Sequence, residues 1–327
     1  MRNEKSGKVN RPVLWLLISL LLGLAAVAGL AYWGYSRPGP AAEKASAGAV
    51  ASAVSLHAPS SDYVLLESGA ATVEAEEETA PDFDYDCTEV LVDEDGIRIL
   101  RIRGKRYRGV LAEIDDPKRL FVGSIPYYSE TGSGMTLDKL MERSGAVLGL
   151  NGGGFQDITG MGAGGMPQGV VICDGTMWLG YAGGQYDVCA FTDEGRLITG
   201  VRTGQELVDA NVQWAVSFGP ALIVDNMIQE FNNTYWEPRS AVGQREDGTV
   251  LLLALEGRQV AAQGACLALE AEIMAKHGAV NATNLDGGAS TVMLYKGEMM
   301  HRANYIAGMR PMPTAVLVKP LEEGAGE

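Results

Sequence analysis

Residues 239–258 read Arg239-Ser240-Ala241-Val242-Gly243-Gln244-Arg245-Glu246-Asp247-Gly248-Thr249-Val250-Leu251-Leu252-Leu253-Ala254-Leu255-Glu256-Gly257-Arg258. Two strand-like runs flank Asp247-Gly248, and Asp and Gly tolerate the positive φ that tight hairpin turns require. The stretch therefore predicts a hairpin. The same punctuation recurs at Asp95-Gly96, Asp174-Gly175, Glu194-Gly195 and Lys296-Gly297, so the sheets are expected to be largely antiparallel. Helical signals are few: Leu137–Ser144 before a glycine stop, a short piece over 206–210, and 265–277. In the last, Cys266, Leu269, Ile273 and Met274 recur at the helical period, and Gly278 ends it with Lys276 and His277 in the final turn. The predicted fold is an α+β domain over residues 87–320, with few helices and no internal repeat.

Outward from this domain the composition changes. Residues 13–35, VLWLLISLLLGLAAVAGLAYWGY, carry no charged side chain, and roughly 20 apolar residues are what a helix needs to cross a bilayer core. Arg2, Lys5, Lys8 and Arg11 precede the run, whereas only Arg37 and Lys44 follow nearby. That asymmetry puts residues 1–12 in the cytoplasm and everything after Tyr35 outside. The run exceeds the apolar core of a cleaved signal peptide and ends in Tyr32, Trp33 and Tyr35, which favours an uncleaved single-pass anchor in the cell membrane. Residues 36–86, rich in Ala, Ser, Gly, Pro and acidic side chains, read as a flexible acidic linker, disordered because it cannot bury enough surface to offset its ordering entropy.

A formal net charge of −15, with no Lys/Arg-rich run, argues against a nucleic-acid partner. Cys87, Cys173, Cys189 and Cys266 fit no zinc spacing, and Cys173 and Cys189 read as small buried hydrophobes more readily than as a bridge. His277 and His301 stand alone and no Gly-x-Ser-x-Gly elbow occurs. No cofactor and no catalytic metal are expected, with a calcium ion held by carboxylates and carbonyls left open.

Three polar, glycine-rich clusters interrupt the strands: Asn151-Gly152-Gly153-Gly154-Phe155, the Arg239–Arg245 run, and Asn284-Leu285-Asp286-Gly287-Gly288-Ala289-Ser290. Glycines let backbone amides approach a ligand, and consecutive N–H groups in such turns form anion-binding nests. With GGMPQGVVICDG at 164–175, SFGPALIVDN at 217–226, LALEGR at 253–258, GAVNATNLDGGAST at 278–291 and a late Arg310, the series resembles the phosphodiester glycosidase family over residues 146–318. Two positions depart from that pattern: Glu256 stands where the family usually has Asp, and Gln156 where an aromatic often follows Phe155.

The resemblance implies a hydrolase that cleaves the glycosyl bond of sugar-1-phosphate diesters, and with the anchor placing the domain outside the membrane, the expected substrates are envelope or extracellular glycans, exopolysaccharide among them. Such cleavage passes through an oxocarbenium-like state stabilised by carboxylates, while guanidinium groups match the phosphate bidentately. Asp286 is the candidate nucleophile or base, Glu256 its partner, Arg239 the phosphate ligand and Asn151 a hydrogen-bonding group for sugar or phosphate. Arg258, Gly152, Gly153, Gln244, Gly287, Gly288, Ser290 and Trp236 complete the candidate substrate-binding set. Each residue also has a structural reading: Asp286 could cap its turn, Arg258 could pair with Glu256, and Asn151 could satisfy local backbone. Tyr235 and Trp236 are the aromatics best placed to stack on a sugar, against the commoner fate of core packing. The alternative functions are a non-catalytic glycan-binding module, and a phosphodiesterase cutting phosphorus–oxygen bonds, which would want a metal cluster.

Overall fold

The Asp247-Gly248 hairpin forms as the sequence predicts, with Arg239 opposite Leu255 and Gln244 opposite Val250. The computed structural model describes residues 85–87, 89–157, 163–232, 235–302 and 308–321. At Asp95-Gly96, Asp174-Gly175 and Lys296-Gly297 both tip residues have positive φ, as the tightest hairpin turns demand. Asp225-Asn226 makes a further tip of this kind, with φ of 48° and 67°. It lacks the glycine that marks the other tips in the sequence.

Every strand pairing in the described residues is antiparallel. The largest sheet runs Tyr85–Asp86, Ile97–Gly104, Arg108–Ile114, Val250–Leu255, Arg239–Arg245, Ala279–Leu285, Ala221–Val224, Met227–Ile228, with Val90–Glu94 added beside the second. A second has the order Leu197–Thr203, Gln185–Thr192, Val212–Ser217, Val171–Cys173, Thr176–Leu179. A third has Glu298–Met299, Met293–Tyr295, Leu148–Asn151, Thr314–Val318, Leu120–Ser124. Tyr85 and Asp86, placed in the linker by composition, pair with Gly104 and Arg103 at the edge of the first sheet.

Strand alternation explains the core. Val250, Leu252 and Ala254 join Ile97, Val122, Leu150, Phe191 and Val316 in one apolar cluster drawn from all three sheets, while Leu251, Leu253 and Leu255 face the opposite side. A strand buried on both faces reads as an unbroken apolar run, as Val250–Leu255 does. Each sheet's outer face is covered by one helix. Leu267–Lys276 packs its Leu269, Ile273 and Met274 over the first sheet, Leu137–Ser144 covers the third through Leu140 and Met141, and Gly204–Asp209 contributes Leu207 to the second. Gly145 and Gly278 end the two longer helices with φ of 69° and 82°.

Among the described residues no helix is long and apolar enough to cross a membrane. The anchor segment 13–35 and the linker up to residue 84 lie outside the described residues. All four cysteines are free thiols, and burial pushes Cys173 up to about 12.

Candidate active site

Strand pairing sets Ser240 opposite Leu285, which places Arg239, at the start of one strand, beside Asp286, just past the end of its neighbour. A cavity of about 310 Å³ opens there, lined by Asp157, Phe218, Glu237, Arg239, Arg258, Asp286, Gly287, Gly288, Ala289 and Arg310. Three guanidinium groups and three carboxylates thus share one cavity wall, with Arg310 paired to Asp157 and Arg258 near Glu237. A larger groove of about 760 Å³ lies along Asp187, Pro220, Phe231 and Tyr235, but it holds no cationic residue.

Asp286 sits at the cavity floor, enclosed on most sides. Loss of solvation raises its carboxyl to about 6, against hydrogen bonds from the Ser290 hydroxyl and the Gly287 N–H and the charge of Arg310; nearby Asp157 adds to the rise. Desolvation dominating partner charges is the signature of a carboxyl held for chemistry more often than for stability. Arg310 stacks over the Phe155 ring, 4.7 Å from its centroid, pairs with Asp157, and reaches the Ser290 hydroxyl at 3.5 Å. Arg239 is 7% exposed and donates through Nε to the Ala265 carbonyl at 3.2 Å, which fixes the guanidinium plane. Arg258 is half-exposed, 3.9 Å from Glu237, on a backbone with φ of 58°.

Several predicted site residues serve the frame instead. Asn151 is 1% exposed. Its amide donates to the Asp286 carbonyl at 2.6 Å and accepts from the Ser240 hydroxyl at 2.7 Å and the Val292 N–H at 3.2 Å, so it braces the backbone of Asp286 and has no acceptor capacity left for sugar. Gly152 and Gly153 are close-approach glycines: a Cβ would meet Thr314 O at 2.5 Å and Ser217 O at 2.6 Å, so they let strands touch.

Gln244 lies at the far end of its strand, roughly 17 Å from Arg239 by strand rise. Its amide is spent on Leu197 N, Gly195 O and Gly248 O. Trp236 is partly buried against the core cluster beneath the helix, and Arg106 lies across its ring at 3.9 Å, where a stacked sugar would have to sit. Tyr235 is exposed but lines the separate groove.

Glu256, the expected partner carboxylate, is absent from the cavity wall. It is 8% exposed and accepts from the Arg302 N–H at 3.0 Å, fastening the loop that carries His301. His301 is itself buried, accepting from Met293 N–H at 3.0 Å; burial lowers its pKa. The anion nest does not form as expected: Gly288 N–H donates to the Pro238 carbonyl at 2.9 Å and Gly287 N–H to the Asp286 carboxyl.

The cavity brings together Asp286, Arg239, Arg258, Gly287 and Gly288, with Ser290 supporting from behind. The cavity carboxylates that sequence reasoning missed are Asp157 and Glu237; Asp157 follows the Gly-rich cluster by two residues, and its one signal was the arginine it would need. Arg310, the last member of the motif series, joins the cavity wall. Among the described residues no group of three or more His, Cys, Asp or Glu could hold a metal ion.

Residues 144–319 match the family model described as phosphodiester glycosidase. The SPbeta prophage-derived uncharacterized protein YomE of Bacillus subtilis is 26% identical over 189 residues, 53% of this chain and 28% of that protein. The mouse N-acetylglucosamine-1-phosphodiester alpha-N-acetylglucosaminidase is 25% identical over 228 residues, 62% of this chain and 42% of that one, and its bovine counterpart 28% identical over 185 residues, covering 50% and 34%. The chain thus spans less than half the length of these relatives. In fold it is similar to the catalytic domain of the zebrafish enzyme of that name, with a TM-score of 0.56, 18% identity and 74% and 85% of the two chains covered. It is also similar to a hypothetical protein from Synechocystis, with a TM-score of 0.53, 17% identity and 73% and 64% covered. With more than half its length matched by the model, the chain belongs to the phosphodiester glycosidase family.

Proposed function

We propose that this protein hydrolyses the bond between an anomeric carbon and the phosphate oxygen of a glycosyl phosphodiester. The observation that carries the reading is that Arg239, Arg258 and Arg310 line one cavity with the buried Asp286. Phosphate departs as a stable anion, so the demand falls on groups that neutralise it, and fixed guanidiniums do so without reorganising. Asp286, in the same cavity, stabilises the oxocarbenium-like state as nucleophile or as the base that activates water.

A carboxyl raised to about 6 is ionised at neutral pH yet basic enough to accept a proton. In either role it must be ionised, so kcat/KM is expected to fall as pH drops below about 6. The mouse and bovine relatives are named for N-acetylglucosamine-1-phosphodiesters; we carry over the bond class and leave the sugar open. We further propose that residues 13–35 anchor the domain outside the cell membrane, where phosphate-linked envelope or extracellular glycans are the substrates.

Hydrolysis of a synthetic glycosyl phosphodiester in isotopically labelled water is the test. Label in the sugar supports carbon–oxygen cleavage. Label in phosphate means attack at phosphorus, and absence of turnover with retained binding means a glycan-binding module.

A further inference from the structure

Behind the cavity, on the first turn of helix Leu267–Lys276, Glu270 is fully buried at 0% exposure. Neither of its carboxyl oxygens has a hydrogen-bond partner. Burying a carboxylate this way is expensive, and a well-packed apolar side chain would normally be more stable. Packing alone does not account for a carboxyl here.

The surroundings are sparse in charge. The helix packs on strands Ala279–Leu285, Ala221–Val224, Met227–Ile228 and Arg239–Arg245. The first three contain no charged residue, and the fourth contains Arg239 and Arg245. Arg245, at the far end, is engaged with Glu113 and the His277 carbonyl. On the helix itself Glu272 and Lys276 pair with each other, and His277, which caps its end, lies beside Glu113. Arg239 is therefore the charge that acts on Glu270, and the same Arg239 is oriented by Ala265 O, two residues before the helix starts.

We infer that Glu270 is a positioning residue that sets how strongly Arg239 holds an anion: as a neutral carboxyl it leaves the guanidinium charge to the cavity, and as a carboxylate it competes for that charge. Burial raises the group to about 8 even with Arg239 nearby, so at neutral pH the neutral form prevails and Arg239 is available to phosphate. Binding an anion at Arg239 removes part of the charge that favours ionised Glu270, which raises its proton affinity further. By linkage, each unit of that rise equals a tenfold loss of anion affinity once Glu270 ionises. The inference rests on the proposed role of Arg239 as phosphate ligand.

The test is calorimetric titration of the full-length chain with sulfate, whose own charge is constant from pH 7 to 9. Wild-type affinity is expected to fall several-fold between those two values, and binding at pH 8 to take up a fraction of a proton, read from its dependence on buffer ionisation enthalpy. In Glu270→Gln and Glu270→Met both effects should vanish, since neither side chain ionises; the apolar variant guards against a folding defect in the amide. A wild-type affinity that is flat with pH, or a fall that persists in both variants, overturns the inference while leaving the anion site intact. Sulfate binding that Arg239→Ala does not weaken overturns the phosphate-ligand reading itself, and the inference with it.

Discussion

The two ends of the strand Arg239–Arg245 carry the same kinds of side chain and put them to opposite uses. At the far end Gln244 satisfies three backbone groups, and Arg245 with His277 engages Glu113. The Glu113 carboxyl is held below its ordinary value chiefly by His277 and then by Arg245, against burial. There each polar group is matched, and ionisation stabilises the fold. At the near end Asp286 and Glu270, the carboxyls flanking Arg239, are both raised, with desolvation the leading cause. Ionisation there works against the fold, as expected where side chains are arranged for chemistry more than for stability.

The sharpest way to break this comparison is Asp286→Asn. Removing a charge used mainly in the transition state should lower kcat and kcat/KM together by on the order of 10²-fold or more. Stability should move the other way. Asp286 has its folded value raised from 3.8 to about 6, so the stability it contributes at low pH is lost as pH rises through that interval. At pH 7 the variant should therefore be the more stable protein, by roughly 3 kcal/mol at most, and below pH 4 the advantage should disappear. Melting curves at the two pH values, with steady-state kinetics, measure both. A well-folded variant with near-normal kcat would take Asp286 out of the chemistry.

Much of this was legible in the chain because its signals are local. Asp95-Gly96 and Lys296-Gly297 announce hairpins through positive φ alone, and the helices stop at Gly145 and Gly278 for the same reason. Asp286 and Arg239 were legible too, since both lie at strand ends in glycine-rich or motif-bearing segments. What local pattern could not supply is the partner. Asn151 and Gln244 carry the polar side chains a sugar site would want, and only the pairing of distant strands reveals that their hydrogen bonds are already used. Glu270 was invisible for a related reason: a glutamate on an amphipathic helix reads as a solvated position until the register of Leu267–Lys276 against the sheet is known. Asp157 gains meaning only from Arg310, which is remote in sequence and adjacent in space.

Gln244→Ala tests the other end of the strand. It strands Leu197 N–H and two turn carbonyls in a region where Gln244 is only 8% exposed. Unmet buried groups cost about 1–3 kcal/mol each before water rescues them, so a loss of about 2–4 kcal/mol in chemical unfolding is expected. The kinetic constants of the folded fraction should stay close to wild type. A drop in kcat with unchanged stability would mean that the motif works as one unit and that the two ends are not separate.

The smallest effect is expected at Glu256, the carboxylate that sequence pattern nominated as the catalytic partner. Its Oε1 accepts one backbone hydrogen bond, from Arg302 at 3.0 Å, and Glu256→Gln keeps an oxygen in that place. What is lost is the charge assistance of the bond, worth about 1 kcal/mol. Removing that charge also removes an influence that raises the His301 pKa, so His301 becomes harder to protonate and its acceptance from the Met293 N–H is kept. The loop should remain fastened, with kcat and kcat/KM changed by no more than about fivefold, the equivalent of that energy. Comparing pH profiles of this variant and Asp286→Asn decides the assignment. If Glu256→Gln instead falls as far as Asp286→Asn and loses the acid limb near pH 6, the carboxylate works with Asp286 through a rearrangement of the 301–302 loop, and the division between framework and cavity drawn along this strand does not hold at its edge.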